Sequence, residues 1–335
     1  MSPVGIGYTC MGEQSDPRWL VRDARAAEEA GFDTVVFSDH ASPWLTTQGH
    51  APYTWSVLGA VAASTSRVEL MTYVTCPTIR YHPAIVAQKA ATVQIMSEGR
   101  FVLGLGSGEN LNEHVVGQGW PAVVERQDML VEACEIISNL FDGELLTYAG
   151  DYFRVDSHRL WDVPERRVPI AVAVSGDKSC ARFSPLAEHM IATEPEPSLA
   201  PAWDGAREPG QQPSRKIAQM PVSWDADRDA ALNRAHEQFR WFAGGWRVNA
   251  DLPTTAGFAG ASQFVRPEDV AQTIPCGNDV DAIVEAASAY FEAGFTDLAL
   301  LQVGGENQSE FLKAAQSDII PALREAAQGS DPSPS

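Results

Sequence analysis

An acid, an imidazole and an indole lie close together at Asp39, His40 and Trp44, in the stretch FSDHASPW that continues the apolar run DTVVF. A histidine with its unperturbed pKa of ~6.5 can move a proton at neutral pH. The alternative is a structural hydrogen-bonding ring, and Asp39 would equally serve as its anchor. Glu109 follows GLGSG and precedes Asn112. Glycines let a backbone approach a ligand closely, so Ser107, Glu109 and Asn112 read as a ligand-facing series. The competing reading is a helix start, with Glu109 favoured by the helix dipole. Glu13 reads from spacing alone as an ordinary exposed carboxylate. The turn AVSGDKS, with Ser175, Gly176 and Asp177, could cradle an anion on backbone amides or be a plain strand-to-helix turn.

Other chemistries find little support. The seven histidines show no H-x-H or H-E-x-x-H spacing, so no metal centre is expected. There is no serine nucleophile elbow. The five cysteines are scattered, with no C-x-x-C pair, and reduced thiols are expected.

The elements that would carry these residues alternate. Strands are expected at 4–8, 33–37, 67–75, 100–106, 168–174, 189–193, 216–224 and 297–303. Asp16-Pro17 should cap a helix that Gly31 ends. Further helices are expected from Pro83, over 123–141 and over 308–326. Eight apolar strands with interposed helices argue for a (β/α)8 TIM barrel, an α/β fold; an open doubly wound sheet is the alternative. The long gaps at 40–66 and 225–295 should place extra segments over the C-terminal face of the strands. The candidate residues then share the rim where barrel chemistry sits. One barrel domain is expected over 1–326, with a disordered tail at 327–335.

The chain has 335 residues and a net charge of −20. That charge argues against nucleic acid or an anionic membrane as partner. No apolar run approaches the ~18 residues of a membrane span. The N-terminus lacks a signal-peptide pattern, so a cytoplasmic enzyme with a small-molecule substrate is expected.

The motifs SDHASPW, GHAPYTW, TCPTIRYHPAIVAQKAAT and GLGSGENLNE resemble the luciferase-like flavin and deazaflavin superfamily. More narrowly, they are similar to the F420-dependent glucose-6-phosphate dehydrogenase group. The resemblance implies a (β/α)8 barrel, a homodimer and coenzyme F420, a hydride-carrying deazaflavin. It implies that His40 is the base that takes the substrate hydroxyl proton, and that Glu109 is the acid serving the reduced ring. Trp44 would wall the pocket, and Glu13 matches a further active-site glutamate. Asp39 would lie beside the cofactor, and Tyr73-Val74 would form a non-prolyl cis peptide under it. Cys76 stands where relatives often carry threonine, near the cofactor. Asn112, Ser175, Gly176 and Asp177 match contacts to the cofactor tail.

The sequence departs from that group at the substrate phosphate. Where two lysines and an arginine hold it, this chain has Glu196, approximately Asn249, and Thr273. A carboxylate close to a desolvated phosphate repels it, and only Arg247 lies nearby to compensate. The expected substrate is therefore an unphosphorylated alcohol or ketone: a sugar, an amino sugar or a specialised-metabolite intermediate. Trp241, Phe242 and Trp246 could wall its pocket or belong to the core. Alternative readings are an F420H2-dependent reductase of a C=C or C=N bond, an FMN-dependent monooxygenase, a true glucose-6-phosphate dehydrogenase and a non-catalytic relative.

Overall fold

The computed structural model describes residues 4–329. Eight parallel strands close into a barrel: β1 (Gly5–Cys10), β2 (Thr34–Phe37), β3 (Glu69–Thr72), β4 (Phe101–Leu105), β7 (Ile170–Ala173), β8 (His189–Ala192), β9 (Lys216–Val222) and β10 (Asp297–Gln302). All eight coincide with expected strands, so the barrel replaces the open-sheet alternative. The strand expected over 67–75 is shorter: β3 ends at Thr72, and the Tyr73–Val74 peptide beyond it is cis.

An antiparallel hairpin, β5 (Leu146–Ala149) and β6 (Arg154–His158), lies outside the barrel. It was not expected from sequence. The long gaps do carry helices, at Thr54–Ser64 and at Val280–Glu292 among others. The last helix, Ile320–Gly329, passes the expected end at 326. The remainder of the tail expected to be disordered, 330–335, lies outside the described residues.

Local chemistry explains the element ends. Asp16 accepts from the Arg18 amide ahead of Pro17, and Gly31 closes that helix at φ 95°, a conformation that suits glycine. His82 caps the helix Pro83–Met96 by accepting from the Ala84 amide, again before a proline.

Three apolar layers build the molecule. Val36, Met71, Val102, Ala171, Ile191, Ile217 and Ala299 fill the barrel interior. A larger layer joins the strands to the outer helices. A third joins Trp44, Phe239, Trp241, Phe258 and Ile274 to Leu301 and Val303 at the end of β10. This last layer seats the 225–295 segment over the C-terminal mouth. At the opposite mouth, Arg215 lies 2.7 Å from both Glu69 and Asp297, the first residues of β3 and β10. That end is tied by charge, which leaves the C-terminal mouth as the place for a ligand.

Candidate active site

The loops after β1, β2 and β4 bring Glu13, His40 and Glu109 together. His40 Nδ1 lies 2.6 Å from Glu13 Oε1, and Nε2 lies 3.7 Å from Glu109 Oε2. The imidazole is thus threaded between two carboxylates. Glu13 is not the exposed carboxylate that spacing suggested; it is 1% exposed. Its second oxygen accepts from Ser38 Oγ at 2.6 Å, and that hydroxyl accepts from the Gly12 amide.

Burial works against a charge on His40, but the carboxylates of Glu13 and Glu109 outweigh it and raise the pKa to about 9. This corrects the expectation of a titration near the unperturbed value. Burial opposes charge on Glu13 as well, yet His40 and the Ser38 hydroxyl hold its pKa below the usual range. The pair rests as imidazolium and carboxylate.

Asp39 is fully engaged by protein. One oxygen accepts from Trp55 Nε1 at 3.0 Å and Thr75 Oγ1 at 2.8 Å; the other accepts from Arg80 at 3.3 Å and the Tyr81 hydroxyl at 3.2 Å. These bonds support the anchoring role more than a ligand contact. Asn112 is buried in the same manner. Its Oδ1 accepts from the Ala41 and Ser42 amides, and its Nδ2 donates to Glu109 Oε2. It fastens Glu109 to the loop that carries His40. Glu109 occupies the cap position of the short helix Asn110–Glu113, as the helix-start reading expected.

The mouth also has an apolar floor. Val74 and Ala173 pack on the interior layer while remaining partly exposed. A Cβ on Gly106 would lie 2.5 Å from Val74 Cγ2, so only glycine lets these strand ends approach. Tyr73 is buried beneath, donating to the Ala192 carbonyl at 2.9 Å. Cys76 is buried, and its thiol is pushed well above the usual range by burial. Ser107 is partly buried. Beside the floor, Trp44 meets His40 edge-on at 5.0 Å and stacks on Trp241 at 4.1 Å and 10°. Trp241 therefore joins the site through the cap layer.

The remaining candidates are less engaged. Ser175 and Asp177 are exposed, but the Ser175 and Gly176 amides both donate to Ser179 Oγ, at 3.1 and 3.2 Å. The anion-nest reading loses those two donors. Glu196 is exposed and accepts from the Ser198 amide of its own loop. Thr273 is exposed and donates to the Val270 carbonyl. Trp246 and Arg247 are exposed, while Asn249 is buried. Sequence reading missed Arg80 and Glu113, which pair beneath the site. The signal available was an arginine inside an otherwise apolar TIRYHP stretch. Among the described residues there is no cluster suited to a metal ion, and no helix is long and apolar enough to cross a membrane.

A closed parallel barrel with a carboxylate–imidazole–carboxylate series at its C-terminal mouth defines an enzyme-like proton-transfer site. Residues 4–297 match the luciferase-like monooxygenase family, and the chain belongs to it. An F420-dependent glucose-6-phosphate dehydrogenase of Nakamurella multipartita is 37% identical, over 96% of this chain and 97% of its own. One from Microbacterium testaceum is 36% identical over 96% and 98%. Among solved structures, an F420-dependent secondary alcohol dehydrogenase in complex with an F420-acetone adduct superposes with a TM-score of 0.86. It is 27% identical, over 96% of this chain and 99% of its own.

Proposed function

We propose that this protein is an F420-dependent oxidoreductase that interconverts an unphosphorylated alcohol and its ketone. The observation that carries the reading is His40 held between Glu13 and Glu109 beside the Trp44 wall. The relatives' names support the cofactor.

The residues fit a flat deazaflavin. Val74 and Ala173 offer a partly exposed apolar floor, Trp44 and Trp241 an aromatic wall, and His40 and Glu109 two proton carriers. Bound there, the cofactor would accept or return a hydride at the substrate carbon.

The chain's own residues handle the proton. Glu13 occupies Nδ1 of His40, fixing the ring and leaving Nε2 to exchange a proton with the substrate oxygen. The imidazolium is the resting form. It donates to a developing alkoxide when a ketone is reduced, and its neutral form accepts the hydroxyl proton when an alcohol is oxidised. With the pKa raised to about 9, the free enzyme holds the ring mainly in its charged form at neutral pH. The charged resting state suits ketone reduction at neutral pH. Trp44 and the cap layer exclude water, which strengthens each of these charge interactions.

Glu196 and Thr273 support an unphosphorylated substrate, because neither is a cation. Ile85, Ile95 and Met96, all exposed on the helix Pro83–Met96, support a homodimer.

The test is to measure F420 and FMN affinities separately and then assay His40→Ala. F420 binding in the micromolar range or tighter, with His40→Ala losing turnover but keeping the cofactor, is expected. Tight FMN binding without F420 binding contradicts the reading.

A further inference from the structure

We infer that Arg80, acting with Glu113, is a positioning residue that sets the separation of the two proton carriers, His40 and Glu109. The inference rests on the proposed proton-transfer role of His40.

Arg80 follows β3, and its side chain is only 9% exposed. Nη2 donates to the Asp39 carbonyl at 2.5 Å and to Asp39 Oδ1 at 3.3 Å. Asp39 is the residue directly before His40. On the other side, the Arg80 amide donates to Glu113 Oε2 at 2.8 Å, and Nε lies 3.6 Å from Glu113 Oε1. Glu113 closes the short helix that Glu109 caps. One guanidinium thus spans the two loops that present His40 and Glu109.

Stability is a weak explanation for this triad. Arg80 Nε and Glu113 Oε1 are buried without a hydrogen-bond partner. Buried ion pairs with unfilled hydrogen bonds seldom stabilise a fold more than apolar side chains of equal volume. Precise placement is what a rigid planar fork adds.

The charges surrounding each group are defined. His40 is faced by Glu13, Glu109 and Arg80, and Arg80 opposes its protonation. Glu113 is faced by Arg80, Glu109 and Asp39, with the Cys76 thiol adjacent. Burial raises the Glu113 pKa to about 7 against the pull of Arg80.

The experiment compares wild type, Arg80→Lys and the neutral double variant Arg80→Met/Glu113→Gln. Folding is checked by circular dichroism. His40 is titrated by NMR in free enzyme carrying labelled histidine, its signal assigned by loss in His40→Asn. In the double variant the lost cation raises the His40 midpoint and a looser Glu109 lowers it, so the double variant is read by its rates. Its kcat should fall about tenfold or more while KM changes little, the signature of misplaced reacting groups. Arg80→Lys should lower the His40 midpoint and show part of the kcat deficit, since it retains the charge but not the fork that keeps Glu109 close. A folded Arg80→Lys variant with the wild-type midpoint and wild-type kcat overturns the inference. Wild type failing to turn over any alcohol with F420 would defeat the functional proposal, and the midpoint comparison would still decide the role of Arg80.

Discussion

His40 shows how far a neighbourhood can move a side chain from its ordinary behaviour. Its raised pKa gives the pH dependence a definite sign. The kcat/KM for alcohol oxidation should climb with pH toward about 9, and that for ketone reduction should fall through the same range. Glu13→Gln removes the nearest carboxylate and should move both limbs to lower pH, measured as paired pH profiles. The same shift carries a stability term. Stability from the charged ring is fully present below the unfolded value of 6.5 and is lost as pH rises through about 9. His40→Asn should flatten that alkaline fall, read from melting temperatures across the range. Asp39, His40 and Glu109 were legible in the sequence because strand ends in a barrel project to one rim. The burial of Glu13 was not, because its partners Ser38 and His40 belong to the next strand's loop. No spacing rule reports such a pairing.

The elements deliver those residues through close backbone approaches. Gly104 in β4 is a tight case: a Cβ there would fall 1.9 Å from the Thr72 carbonyl oxygen of β3. Gly104→Ala should therefore give little soluble protein or a sharply lowered melting temperature. Gly119, with open space around its Cβ position, is the control and should tolerate alanine. The cap layer is a second device of this kind, built on the stack of Trp44 with Trp241. Trp241→Ala should cost about 3 kcal/mol in urea unfolding and loosen the wall beside His40. The barrel strands were readable as apolar runs between helix signals. The hairpin β5–β6 was not, since its strands are mostly exposed or half-buried and lie apart from the barrel. The alternation around the Gly150-Asp151 turn was the available clue. Trp241 could be placed in neither core nor pocket from sequence, because its contact with Trp44 spans most of the chain.

At the scale of the molecule, the two barrel mouths divide the work. Arg215 ties the N-terminal mouth with ion pairs, and the cap layer encloses the other. The net charge of −20 disfavours anionic substrates at long range, in keeping with the proposed unphosphorylated substrate. The exposed apolar residues of the helix Pro83–Met96 bear on assembly. The proposed dimer should dissociate to monomer in Ile95→Asp, read by sedimentation equilibrium. The substrate class was approachable from sequence only as a loss of cations; the enclosed aromatic wall needed the structure.

The central claim is a His40-centred exchange of proton and hydride between F420 and an unphosphorylated alcohol. Its most direct test is steady-state F420 reduction by a panel of secondary alcohols and sugars, with glucose 6-phosphate alongside. The account predicts turnover of an unphosphorylated alcohol, with kcat/KM for glucose 6-phosphate lower by about a hundredfold or more. Efficient turnover of glucose 6-phosphate alone would contradict it.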